Sequence, residues 1–129
     1  MGYNILIVDD SGTMRKIISR TIMLTGLPVD EMFNAEHGRQ ALDLMKQKDV
    51  SLVITDINMP VMDGITMLEK MAEDEVMKKL PVVIISTEGS ETKLERLSGK
   101  GVKAFIRKPF TPEKVRDTLQ VVLGGAYAQ

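Results

Sequence analysis

Cysteine is absent from the 129 residues. That excludes disulfides, thiolate catalysis and Cys-ligated zinc, and it points to a reducing compartment, the cytoplasm. Tryptophan is absent too, with only three Phe and two Tyr. Aromatic platforms for single-stranded nucleic acid are therefore not expected. No charge of one sign dominates: 17 Lys and Arg stand against 18 Asp and Glu, for a net charge of −1. There is no global basic field to hold nucleic acid or an acidic membrane. The longest aliphatic runs are about four residues, as in Ile5-Leu6-Ile7-Val8. A membrane helix needs about 20. No signal-peptide pattern precedes the first strand-like run.

What is present suits one domain. A hydrophobic fraction of 43% over this length can bury a core without staples. Ten methionines are many, and most of them, including Met14, Met45, Met67 and Met71, fall in helical patterns that read as core filler.

Short β-rich runs alternate with helical periodicity. Residues 4–8 read as a buried strand, too apolar to alternate. Met14, Ile17, Ile18, Thr21 and Ile22 repeat as one face of an amphipathic helix closed by Gly26 and Pro28. Residues 29–33 form a weak edge strand. Residues 38–48 form a helix with Ala41, Leu42 and Met45 inward. Residues 51–55 form the third strand, and a loop over 58–63 precedes a helix with Ile65, Leu68 and Met71 inward. A fourth strand covers 82–85, a short helix 90–98 and a fifth strand 103–106. Thr111 and Pro112 open the last helix as N-cap and N1, with Val115, Leu119 and Val122 inward. The domain is expected over residues 1–123, with no second domain after it. Residues 124–129 are expected to be a disordered tail.

Five β-α units in a row imply an α/β fold, a doubly wound parallel sheet with helices on both faces. In such sheets the working crevice lies beyond the strand C-termini. Asp9 and Asp10 follow the first strand, Asp56 the third, Ser86 and Thr87 the fourth, and Lys108 the fifth. Parallel strands bring all of these to one edge. Three neighbouring carboxylates resist ionising together, and a hard divalent cation such as Mg²⁺ removes the conflict. A carboxylate beside Mg²⁺ and an ammonium is suited to nucleophilic capture of a phosphoryl group. Taken singly, each feature is ordinary, since an Asp at a strand end is commonly a cap and a Lys-Pro a turn. Their joint placement at successive strand ends carries the reading.

The chain resembles the receiver domain of two-component response regulators, and in particular the single-domain chemotaxis type. The residues that carry the resemblance are Ile5-Leu6-Ile7-Val8-Asp9-Asp10-Ser11 and Ala35-Glu36-His37-Gly38-Arg39-Gln40-Ala41-Leu42, followed by Asp56-Ile57-Asn58-Met59-Pro60-Val61-Met62-Asp63-Gly64, Val82-Val83-Ile84-Ile85-Ser86 and Lys108-Pro109-Phe110. The resemblance implies a flavodoxin-like sheet of order 2-1-3-4-5 with five helices. It implies that Asp56 is the phosphoacceptor, and that Asp10, Asp56 and the Asn58 carbonyl ligate Mg²⁺ while Asp9 acts through a bound water. It makes Lys108 the partner of the phosphoryl group, Ser86 the switch hydroxyl and Phe105 the switch aromatic. Phe105 carries no hydroxyl where the family often has Tyr. The Lys108-Pro109 bond is expected to be cis. Asn58 and Glu88, the polar residues two after the phosphoacceptor and two after the switch hydroxyl, imply rapid loss of the phosphoryl group.

The function so implied is that of a stand-alone phosphoacceptor and not a turnover enzyme. It would be phosphorylated by a histidine kinase and would bind a downstream protein through the 90–98 helix, the fifth strand and the last helix. Neither nucleic acid nor membrane is an expected partner. An intermediate in a phosphorelay shares the same residues. A Mg²⁺-dependent phosphohydrolase with an Asp nucleophile would want an acid two positions after it, where Asn58 stands. A flavin or nucleotide binder would want a phosphate loop where Asp9 and Asp10 would repel one. His37, the single histidine, reads as a helix cap or a solvated residue.

Overall fold

Three strands carry the core on both of their faces. Ile5 and Ile7 of β1 (Tyr3–Val8) point into one apolar layer, and Leu6 and Val8 into another. β3 (Leu52–Thr55) and β4 (Val82–Ser86) divide in the same way, and every residue of both is buried. This is the pattern of strands covered on both sides, where period-2 alternation has no polar face to show. The structure, a computed structural model, describes residues 2–87 and 101–124.

All strand pairs are parallel, in the order β2-β1-β3-β4-β5, as the resemblance implied. β2 (Val29–Ala35) is the polar edge expected, two residues longer than its sequence signal. β5 (Val102–Arg107) closes the other side. Helices α1 (Gly12–Leu24) and α4 (Pro112–Leu123) cover one face, with Ile18, Ile22, Val115 and Leu119 buried. Helices α2 (Gly38–Gln47) and α3 (Gly64–Ala72) cover the other, with Ala41, Leu42, Met45, Met67, Leu68 and Met71 buried. A 3₁₀ turn over Met77–Lys79 leads into β4 and had no sequence signal.

Each described α-helix starts at a side-chain cap, which satisfies one of the free N–H groups of its first turn. Ser11, His37, Asp63 and Thr111 accept from Met14, Gln40, Thr66 and Lys114 respectively. His37 is thus a cap, through Nδ1.

Some expectations need correction. Ile17 does not face the core: it is 45% exposed, and Met14 is only half-buried. The inward stripe of α1 is carried by Ile18, Thr21 and Ile22, because Ile17 lies a full 100° step round the helix from Ile18. Met23 is exposed, so it is not core filler. Four α-helices are present among the described residues, against five expected. The expected 90–98 helix, Glu88 and the tail beyond Gly124 lie outside those residues. No helix among them is long and apolar enough to cross a membrane.

Candidate functional site

Register places the key carboxylates. Val8 pairs with Thr55 across β1 and β3, so the next residues, Asp9 and Asp56, emerge side by side at the C-terminal edge. The Asp56 N–H donates to the Val8 carbonyl at 2.9 Å, and the Asp9 N–H to the Ala35 carbonyl at 3.1 Å. The Asp9, Asp10 and Asp56 side chains each offer an oxygen, and these lie within 4.8 Å of one another. Asp9 is buried, Asp56 is partly covered and Asp10 is exposed.

Lys108 enters from the other side of the sheet. Ser86 pairs with Arg107, and the next N–H, that of Lys108, donates to the Ser86 carbonyl at 3.0 Å. The ammonium then spans two strands, donating to Asp9 Oδ2 and to Asp56 Oδ2, each at 2.9 Å. The Lys108-Pro109 bond is cis, as expected. Burial by itself would lower the Lys108 pKa, but hydrogen bonds and Coulomb attraction to Asp56 and Asp9 outweigh it and hold the group above its ordinary 10.5.

The other carboxylate oxygens are also engaged. Asp9 Oδ1 accepts from the Ser11 N–H at 2.9 Å, and Asp56 Oδ1 from the Ile57 N–H at 2.6 Å. Three carboxylates against one ammonium leave a surplus of two negative charges at one edge of the sheet. That donor set, all hard oxygen, fits a divalent cation such as Mg²⁺.

Of the remaining expected residues, Ser86 and Asn58 lie at the same edge and Phe105 lies two residues before the end of β5. Ser86 is fully buried at the end of β4, while Thr87 is exposed. Asn58 is exposed in the loop after Asp56. Phe105 is half-buried on β5, packed against the α2–α3 layer.

Two supports had little or no sequence signal. Arg15 Nη1 donates to the Asp9 carbonyl at 2.5 Å, which pins the turn after β1 from one helical turn away. Gly64 lies against the main chain of the phosphoacceptor candidate: its N–H donates to the Ile57 carbonyl at 2.7 Å, and a Cβ there would stand 2.5 Å from the Asp56 carbonyl oxygen. The Asp63-Gly64 pair, read from sequence as a loop and helix start, therefore does both jobs: Asp63 caps α3, and Gly64 lets the helix approach the site.

A doubly wound parallel sheet of order 2-1-3-4-5 with this acidic edge and a lysine bridging it defines a class, the flavodoxin-like α/β domains with an acidic site at the strand C-termini. The comparison with known proteins is more specific. Residues 5–120 match the family model described as "Response regulator receiver domain", and the chain belongs to that family. It is 41% identical over 121 residues to the "Chemotaxis protein CheY homolog" of Campylobacter jejuni, covering 93% of this chain and 92% of that one. It is 40% identical over 121 residues to "Chemotaxis protein CheY1" of Helicobacter pylori, covering 93% and 96%. Among solved structures, Vibrio cholerae chemotaxis protein CheY4 superposes with a TM-score of 0.84 at 32% identity, over 95% of this chain and 99% of that one. CheY in the CheX-CheY-BeF3-Mg complex of Borrelia burgdorferi gives 0.85 at 32% identity, over 94% and 89%. The chain holds a CheY-like receiver domain of two-component signalling, and its relatives are signalling proteins.

Proposed function

We propose that this receiver is a phosphorylation-controlled binding module in which Asp56 accepts a phosphoryl group from a histidine kinase. The reading rests on one observation above the rest: the Lys108 ammonium held 2.9 Å from both Asp9 and Asp56 inside an edge with surplus negative charge. One Asp56 carboxylate oxygen forms the new bond to phosphorus. The P–N bond of the donor breaks, and the donor nitrogen keeps the electron pair. Asp10, Asp56 and the Asn58 carbonyl are the proposed Mg²⁺ ligands, with Asp9 acting through a bound water. When bound, the cation offsets charge on the phosphoryl oxygens. Lys108 stays cationic through the physiological range and holds one of those oxygens. The chemistry is the chain's own uptake and loss of one group.

Phosphorylation adds about −1.5 to −2 charges and three acceptor oxygens. Ser86 and Lys108 are the side chains at hand to meet them; Ser86 ends β4 and Lys108 directly follows β5. Movement of Ser86 would open space for Phe105 to turn inward. The proposed output surface is therefore β5, α4 and the segment 88–100 that precedes β5. A protein partner is favoured over nucleic acid by the near-neutral charge, and a relative solved in complex with CheX is in keeping with it.

Asp56→Asn, incubated with acetyl phosphate and Mg²⁺ and read by intact mass, should gain no phosphoryl adduct where the wild type gains one. An adduct of equal yield in the variant would overturn the assignment. Amide exchange with and without beryllofluoride should change over 88–99 and 105–114. Changes confined to the surroundings of Asp56 would overturn the output surface.

A further inference from the structure

We propose that a pocket on α1, separate from the acidic edge, is a binding site for a linear oligophosphate. The pocket is an open groove of about 710 Å³ lined by Gly12, Thr13, Arg15, Lys16, Ser19, Arg20 and Asn34. That volume is within the range of small-ligand sites, about 300–1,000 Å³.

Its charge is one-sided. Three of the seven lining residues are cationic and none is acidic, although acidic residues outnumber basic ones in the chain. Among the described residues no carboxylate is within ion-pair distance of Arg15, Lys16 or Arg20. Lys16 and Arg20 stand four residues apart on one helix face, a like-charge spacing that works against an isolated helix. A bound polyanion attracts both cations and offsets that repulsion. Arg15 is half-buried and already oriented by its bond to the Asp9 carbonyl, so its ordering cost is partly met before a ligand arrives.

The spacing selects the ligand. Arg15, Lys16 and Arg20 spread three positive charges over ~7.5 Å of helix axis, at ~1.5 Å per residue, more charge than one phosphate balances and suited to a chain of linked phosphates. Neutral donors, the Thr13 hydroxyl and the Asn34 amide, stand beside the cations. The Ser19 hydroxyl is already directed at Met32 Sδ, 2.9 Å away. No aromatic or large aliphatic side chain lines the pocket, so neither a base nor an acyl chain has a platform there. Helix α1 runs back from the acidic edge, so Lys16 and Arg20 are progressively further from the three carboxylates. The site does not depend on Asp56 being a phosphoacceptor.

Calorimetric titration of the full chain with inorganic tripolyphosphate, in EDTA and low salt, tests it. One saturable site is expected, with orthophosphate binding at least about tenfold more weakly, roughly 1.4 kcal/mol. Lys16→Glu with Arg20→Glu should weaken tripolyphosphate about tenfold or more, and Lys16→Gln with Arg20→Gln should weaken it less. Lys48→Glu with Lys70→Glu, the same charge change on the opposite side of the sheet, should leave it within about twofold. Circular dichroism confirms that each variant is folded. Asp56→Asn should bind as the wild type does. No saturation by about 1 mM, or equal losses in the two double Glu variants, would overturn the proposal. So would a hexaglutamate peptide that binds as tightly, since the surface would then be one for acidic protein.

Discussion

The carbonyl oxygen of Asp56 and the Cα of Gly64 approach so closely that a methyl group on Gly64 would lie 2.5 Å from that oxygen. The contact is backbone against backbone, so no flexible side chain can yield. Gly64→Ala should therefore destabilise the fold by about 1–3 kcal/mol, although Ala is ordinarily preferred to Gly in a helix. Urea midpoints of the two proteins measure this. Any shift of the Asp56 main chain should also lower phosphoryl uptake in the variant. An unchanged or higher midpoint would contradict the close approach.

Lys108 both holds and occupies the acidic edge. Lys108→Met removes the ammonium while Asp9 stays buried, with the Ser11 N–H as its remaining donor. Stability in EDTA should fall by about 1–3 kcal/mol. Mg²⁺ should restore a good part of it, because a cation that binds only the folded state stabilises that state. Thermal melts with and without Mg²⁺ read both effects. The pH dependence has a definite sign. The folded pKa of Lys108 lies above its ordinary 10.5, so its contribution is fully present below that value and is lost as pH rises through the folded pKa. The gap between wild type and variant should show no Lys108 titration from neutrality to about pH 9, and should narrow only in strong alkali.

Asp10 and Glu36 separate a proposed metal ligand from a nearby acid. Both are exposed at the same end of the sheet, but Asp10 lies in the carboxylate cluster and Glu36 does not. Asp10→Ala should weaken Mg²⁺ binding about tenfold or more, and Glu36→Ala less than about twofold. Divalent-cation titration decides, and equal losses would count against the cluster as the cation site.

Val61 holds φ at +66° in the loop after Asp56, where the Met62 N–H donates to the Pro60 carbonyl at 2.7 Å. A β-branched residue is strained there, and its side chain is exposed, with little packing to offset the cost. Val61→Asn should raise stability by about 0.5–1 kcal/mol, since Asn enters this region more readily. Chemical denaturation measures it, and a loss of similar size would show that the Val side chain stabilises the loop.

Much of the fold is written in local patterns. β1, β3 and β4 are legible because strands covered on both faces become continuous aliphatic runs, here short and rich in Val and Ile. Thr111-Pro112 and Asp63-Gly64 mark helix starts through capping chemistry that acts within four residues. The order of Asp9, Asp10, Asp56, Ser86 and Lys108 along the chain was enough to place them at one edge, because parallel strands share a direction. Local pattern could not show that one ammonium bridges Asp9 and Asp56, residues 99 and 52 positions away from it, since that depends on register and side-chain reach across three strands. Nor could it show which way Ile17 turns: an aliphatic residue beside a stripe fits the period as well as one within it, and only the packing of α1 against the sheet decides. The carbonyl-to-glycine contact at Asp56 and the meeting of the basic face of α1 with Asn34 are likewise tertiary. They arise where separate elements meet, and no single segment carries them.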